Sequence, residues 1–187
     1  IAFVLGATGL THLWVIGEPS FYSVAIQRMF SGINSFSMMA IPFFVLAGEI
    51  MNRGRITDKL VDFARECVGF VRGGLAYTVV LVAMILSAIL GSANAVAAIL
   101  CSMLVGEMVK DRYSEEFSTS LIAASAIIGP IIPPSVTFIL YAVLAGTSVN
   151  ALFMGGIIPG ILLGLAYMII IFIKGRKENF PKYTEKL

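Results

Sequence analysis

Two long stretches of this chain, residues 73–106 and 117–173, contain no Asp, Glu, Lys or Arg. A helix needs about 20 apolar residues to cross a bilayer, so the two stretches together hold several membrane segments. Of 187 residues, 58% are hydrophobic and only 13% charged, too little polar surface for a soluble domain of this length. The class that fits is an all-α integral membrane protein.

The remaining segments fall into place around these runs. Residues 1–16 complete a membrane span that Glu18 and Pro19 end. The apolar opening IAFVLGATGL has no basic n-region and reads as a cut through a first membrane helix, which makes the chain a fragment. In residues 21–33 apolar side chains recur at Tyr22, Ala25/Ile26, Met29/Phe30 and Ile33, opposite Gln27, Arg28 and Ser31. That period suits a helix lying along a membrane or against another helix. Residues 36–52 form a second span, with Pro42 near its start. Residues 54–72 follow as an amphipathic helix, with Ile56, Leu60, Phe63/Ala64, Cys67 and Val71 on one stripe and charges on the other face. Residues 73–90 and 94–110 make two helices joined by the small-residue turn Gly91-Ser92-Ala93-Asn94. After polar residues 111–116, the segment 147–150 divides the second charge-free run. Residues 152–173 form the last span, followed by a solvated basic tail.

Positive charge orients this arrangement. Of thirteen Lys and Arg residues, only Arg28 lies outside the clusters 53–72, 110–112 and 174–186. The positive-inside rule places all three clusters in the cytoplasm and residues 21–33 on the outer side. No basic, aromatic-studded patch points to nucleic acid.

The stretch GPIIPPS, residues 129–135, interrupts the segment 117–146 at its middle. Helices over 117–128 and 136–146 would each reach about 17 Å, roughly half the hydrocarbon thickness, which puts the break near the bilayer midplane. Pro130, Pro133 and Pro134 have no N–H, so the carbonyls of Ala126, Gly129 and Pro130 lose their usual helical donors. Unsatisfied backbone facing lipid costs several kcal/mol, so the break must face protein, water or a ligand. The first half-helix aims its partly negative C-terminus at the gap, which favours a cation. The second half offers N–H groups to an anion or to a capping hydroxyl, with Ser135 at its start. Such discontinuous helices line ion and substrate sites in secondary transporters. A proline kink satisfied by neighbouring side chains is the alternative. The turn 91–94 is the natural partner, since Gly91 and Ala93 permit close approach and Ser92 and Asn94 carry neutral oxygens suited to a hard cation. The same turn also reads as a plain hairpin, spanning or dipping into the membrane.

Other features carry less. Gly156, Gly160 and Gly164 form a small-residue ladder expected to be a packing face. Glu49 is expected to pair with Arg53 or snorkel. Cys67 and Cys101 lack metal-ligand spacing and are expected to be small buried side chains. His12, the single histidine, is expected to be packed or interfacial, and with Ser92 it gives no convincing nucleophile motif, so the chain is not expected to be an enzyme.

The stretches IPFFVLAGEIMNRG (41–54), LVDFARECVGFVRGGLA (60–76), ILGSANAVAA (89–98) and IIGPIIPPSVTFILYAVLAGTSVNALFMGGIIPGILLG (127–164) closely resemble the large membrane subunit of tripartite ATP-independent periplasmic (TRAP) transporters. The resemblance implies one inverted-repeat half of an elevator-type transporter, with a re-entrant helical hairpin and a broken transmembrane helix. Residues 1–72 would be scaffold helices and an amphipathic arm. Residues 73–146 would be half of the transport domain, with the hairpin at 73–110 and the broken helix at 117–146. Residues 147–187 would be the final span and cytoplasmic tail.

The resemblance further implies Na⁺-driven import of organic acids, such as C4-dicarboxylates or sialic acids, across a bacterial inner membrane. A periplasmic substrate-binding protein, a small membrane subunit and a second half of the same subunit would be partners. Ser92 and Asn94, with carbonyls around Gly129, Ile132 and Pro133, would hold one Na⁺. Gly91, Ala93, Ser125, Pro134, Ser135 and Thr137 would support the ion or the substrate. The alternative is a related Na⁺-coupled carboxylate permease that works without a binding protein.

Overall fold

The helix that organises the fold is a long and almost wholly apolar one. In the computed structural model, which describes residues 2–17, 20–177 and 180, the segment Gly74–Leu90 (α5, numbering the helices in chain order) is buried over most of its length. A helix that is apolar all round can be stable only inside a bundle or a membrane, and α5 has neighbours on several sides. Its two buried hydroxyls spend themselves on their own helix: Thr78 Oγ1 donates to Gly74 O at 2.9 Å and Ser87 Oγ to Ala83 O at 2.6 Å. That leaves no unpaired side-chain donor on these two residues.

Four helices precede it: α1 (Ala2–Ile16), α2 (Ser20–Ile33), α3 (Phe36–Arg53) and α4 (Ile56–Val68). Helices α2 and α3 meet at a bend of 47° and together are long and apolar enough for one crossing. Ser35 caps α3 by accepting from Met38 N at 3.2 Å. On α3, Glu49 Oε1 accepts from Arg53 Nε at 2.7 Å, the pairing their spacing predicts. The terminators Glu18 and Pro19 and the tail 181–187 lie outside the described residues. His12 is exposed on α1.

Helix α4 is amphipathic, but its packed face differs from the predicted stripe. Thr57, Val61 and Ala64 are buried and Leu60 half-buried, while Ile56, Phe63 and Cys67 are exposed. The helix has two apolar faces. The one that packs on α5 is the one with small side chains at its centre, which lets the helices approach closely. Cys101 is exposed as well, so neither cysteine is the small buried side chain expected.

After α5 the chain turns back through α6 (Ala93–Leu100), a π-helical turn at Cys101–Val105 and α7 (Gly106–Lys110). These three run on as one apolar stretch of 18 residues, long enough to cross a membrane. Ser114 caps α8 (Glu115–Ala126) by accepting from Phe117 N at 3.2 Å, with Glu115 and Glu116 in the first turn complementing the helix dipole. Then come α9 (Val136–Ala145) and α10 (Val149–Lys177), separated by a turn in which Gly146 is left-handed at φ 63°. The core joins α5 to the inner faces of α4, α6 and α8, and to Ile171 of α10. Among the described residues no strand occurs.

Candidate functional site at the helix break

The turn at 91–94 and the break at 129–135 come together, backbone against backbone. Gly91 ends α5 in the left-handed region at φ 57°, donating to Ser87 O at 3.0 Å. A Cβ on Gly91 would collide with Pro134 O and stand 3.3 Å from Ser135 Cα and Val136 N. Across the same contact, a Cβ on Gly129 would lie 2.9 Å from Ala93 N and 3.0 Å from Ser92 C. Only glycine fits at either position. As a result the C-terminal end of α5 abuts the start of α9, and the C-terminal end of α8 abuts the start of α6. Opposite ends of four helix dipoles converge on one small volume.

The break handles its backbone in a way that local spacing does not show. Two of the three carbonyls expected to lose donors recover one. Gly129 N tightens the end of α8 by donating to Ala126 O at 2.9 Å. Ser135 Oγ donates to Pro130 O at 2.7 Å while accepting from Phe138 N at 3.3 Å, so its hydroxyl both caps α9 and closes the break. The 133–134 bond is cis. Among the described residues, no hydrogen bond reaches the carbonyls of Gly129, Ile132 or Pro133.

The polar side chains divide into three groups. Ser92, half-buried, precedes α6 with extended backbone and makes no side-chain cap. Ser125 Oγ, on the last turn of α8, is fully buried without a hydrogen-bond partner. Each keeps an oxygen available. Ser135 is buried and already committed. Asn94 and Thr137 are exposed on the first turns of α6 and α9. No cluster of three or more His, Cys, Asp or Glu occurs among the described residues, so a cation here would meet neutral oxygens only.

The glycine ladder on α10 is the bed on which the break rests. Gly156 leaves room for Phe138 and the Ile131 carbonyl, while Gly160 leaves room for Ile132, whose Cγ1 would lie 2.5 Å from an added Cβ. Gly164 does the same for Met84 of α5. The small-residue spacing pointed to packing; nothing in it identified the partner. A second feature without a local signal is the ion pair between Arg65 of α4 and Glu107 of α7, which ties the amphipathic helix to the base of the hairpin. A third is the aromatic group formed by Tyr113, Phe117 and Phe180, with Lys174 Nζ 4.5 Å from the Phe117 ring centre. Burial first, then the neighbouring Asp111 charge, pushes the Tyr113 hydroxyl well above its ordinary range.

The family described as "Tripartite ATP-independent periplasmic transporter, DctM component" matches residues 1–187, the whole chain. This chain is a member of that family. Curated relatives agree. The C4-dicarboxylate TRAP transporter large permease protein DctM of Pseudomonas aeruginosa is 38% identical over 177 residues, covering 95% of this chain and 41% of that protein. The 2,3-diketo-L-gulonate TRAP transporter large permease protein YiaN of Escherichia coli is 43% identical over 159 residues, 85% of this chain and 37% of that protein. The sialic acid TRAP transporter large permease protein SiaM of Vibrio cholerae is 38% identical over 189 residues, spanning 100% of this chain and 44% of that protein. The chain therefore spans about two fifths of the length of these relatives. TRAP large permeases are membrane proteins, and here residues 93–110 and α10, with the bent pair α2 and α3 taken as one span, are long and apolar enough to cross a membrane.

Proposed function

We propose that this chain forms one half of the large permease subunit of a Na⁺-driven organic-acid importer in a bacterial inner membrane. The observation that carries the reading is the backbone docking of Gly91–Ala93 on Gly129–Ser135, beside carbonyls and serine oxygens with no protein partner. In this reading Na⁺ sits between the tip of a re-entrant hairpin, α5 to α7, and the broken helix, α8 and α9. Ser92 Oγ, Ser125 Oγ and the carbonyls of Gly129, Ile132 and Pro133 supply its oxygens. The helix N-termini of α6 and α9 at the same junction favour an anion, which makes it a site for coupling a carboxylate to the cation. Asn94 and Thr137, exposed at those N-termini, are placed to meet the substrate or the second half of the subunit rather than the ion.

The names of the relatives, which include transporters of a C4-dicarboxylate, a diketogulonate and a sialic acid, support an organic anion as cargo. In the same reading, a periplasmic binding protein delivers the cargo, a small membrane subunit completes the complex, and the hairpin with the broken helix moves as an elevator against the scaffold. The test is uptake by the full-length complex in proteoliposomes over a range of Na⁺ concentrations. Ser92→Ala and Ser125→Ala are expected to raise the Na⁺ concentration for half-maximal uptake about tenfold each, the effect of losing one good oxygen contact to a charge. Unchanged Na⁺ dependence in both variants would discard the site.

A further inference from the structure

A cavity lies at the opposite end of the bundle from the helix break. It measures about 440 Å³ and is bounded on one side by Val68, Val71 and Arg72 at the α4–α5 corner and by Tyr77 of α5. Its other side is the last turns of α10, from Phe172 through Gly175 to Arg176. Among the described residues no acidic residue lines it, and Arg72 and Arg176 are both exposed. The Arg176 guanidinium carbon stands 4.3 Å from the centre of the Phe172 ring. That contact orients the planar group and leaves its N–H edges for an anion.

The depth of this cavity follows from the sequence. Arg72 immediately precedes the charge-free run 73–106, and Lys174 and Arg176 follow immediately on the run that ends at Ile173. Both walls therefore cross the boundary between apolar and charged sequence at the same place. Helix α10 has 29 residues, about 43 Å, against a hydrocarbon thickness of about 30 Å, so its basic last turn reaches the headgroup layer. An apolar hollow lined also by two guanidinium groups, at the depth where apolar sequence gives way to charged, matches an amphiphile with an anionic head. It gives a small soluble anion no use for its apolar wall.

We propose that this cavity binds an anionic phospholipid, its phosphate held by Arg72 and Arg176 and the upper part of an acyl chain lying on Val68, Val71 and Phe172. Bound there, the lipid bridges the corner of α4 and α5 to the end of α10. Basic hollows between membrane helices at a headgroup layer have this chemistry. The inference needs only that the bundle is membrane-embedded and is independent of the ion site.

The experiment uses the delipidated full-length permease with its partner subunit, titrated with phosphatidylglycerol, phosphatidylcholine or inorganic phosphate. Lipid retention is read by native mass spectrometry and the unfolding midpoint by thermal denaturation. Phosphatidylglycerol is expected to be retained and to raise the midpoint, with phosphatidylcholine and phosphate doing neither. Arg72→Gln with Arg176→Gln should weaken retention tenfold or more, on the order of what two interfacial cations contribute. Arg72→Lys with Arg176→Lys should keep the preference for the anionic lipid. Val71→Trp should lose the bound lipid with both charges in place. Should the double Gln variant fail to fold, the last two variants decide. Equal retention in wild type and Val71→Trp or the double Gln variant overturns the proposal. So does a response to phosphate alone, which would make the site one for soluble anions.

Discussion

Gly129 faces the amide nitrogen of Ala93 so closely that a Cβ on Gly129 would stand 2.9 Å from it. Real Cβ atoms do not come that near a backbone nitrogen, and neither side of the contact has a flexible side chain to move. The hairpin tip and the helix break are therefore docked through bare backbone. Gly91 makes the reciprocal contact with Pro134 from a left-handed conformation.

Gly129→Ala and Gly91→Ala should each separate the tip from the break while leaving membrane insertion intact. The cost is about 1–3 kcal/mol for strain at Gly91 and of similar size for the displaced backbone at Gly129. Uptake by the full-length complex should fall by an order of magnitude or more in each, with normal expression. Wild-type uptake in either variant would show that the contact is dispensable.

Ser135→Ala removes the cap of α9 and leaves the partly buried Pro130 carbonyl without a donor. The combined loss is about 1–3 kcal/mol, since both the cap and the orphaned acceptor contribute. Thermal unfolding of the purified complex should shift down by several degrees, whereas Ser135→Thr, which keeps the hydroxyl, should shift less. A stability loss no larger than that of Thr137→Ala, an exposed neighbour, would argue against the hydroxyl bridge.

The Arg65–Glu107 pair is only partly shielded, with side chains 23% and 43% exposed, so its coupling is modest. A double-mutant cycle with Arg65→Gln and Glu107→Gln should give no more than about 1 kcal/mol. The exchanged pair Arg65→Glu with Glu107→Arg should recover part of what either single exchange loses. Additive single effects would mean that α4 is held to the hairpin base by packing alone.

Tyr113 gives a pH dependence with a definite sign. An ordinary tyrosine ionises near pH 10, and burial holds the folded hydroxyl protonated beyond that. Above about pH 10 the unfolded chain loses a proton that the folded chain keeps. Stability associated with Tyr113 is thus intact below pH 10 and declines as pH rises past it. Tyr113→Phe should flatten that decline, measured as the unfolding midpoint between pH 9 and pH 11, and change little at pH 7. An identical alkaline slope in both proteins would place the titration elsewhere.

Much of the architecture was legible because its signals are local. Runs without charge marked the apolar segments and three prolines marked the break, whereas α8 starts two residues before the expected 117 because Ser114 caps it. The first half-helix ends at Ala126 rather than 128 because Gly129 N tightens its last turn, while α10 runs three residues earlier and four later than the expected 152–173. The expected stripe on α4 caught Ala64 and Leu60 but missed Thr57 and Val61, because only contact with α5 turns the packed face toward them and leaves Ile56, Phe63 and Cys67 outside. Cys67 and Cys101 were misplaced for the same reason: a small apolar side chain carries no information about which neighbour it meets.

By itself, the sequence determined that this chain is a membrane bundle with a break in one helix and a small-residue tip in its hairpin. Those follow from composition and from backbone chemistry, which each residue carries with it. Only the tertiary structure decided that Gly91 closes on Pro134 and Gly129 on Ala93, that Gly156 and Gly160 make the bed for Ile131 and Ile132, and that Ser135 is spent while Ser125 is not. Each of these depends on which carbonyl, amide or side chain arrives at a given point, often from tens of residues away. No period along the chain encodes that arrival.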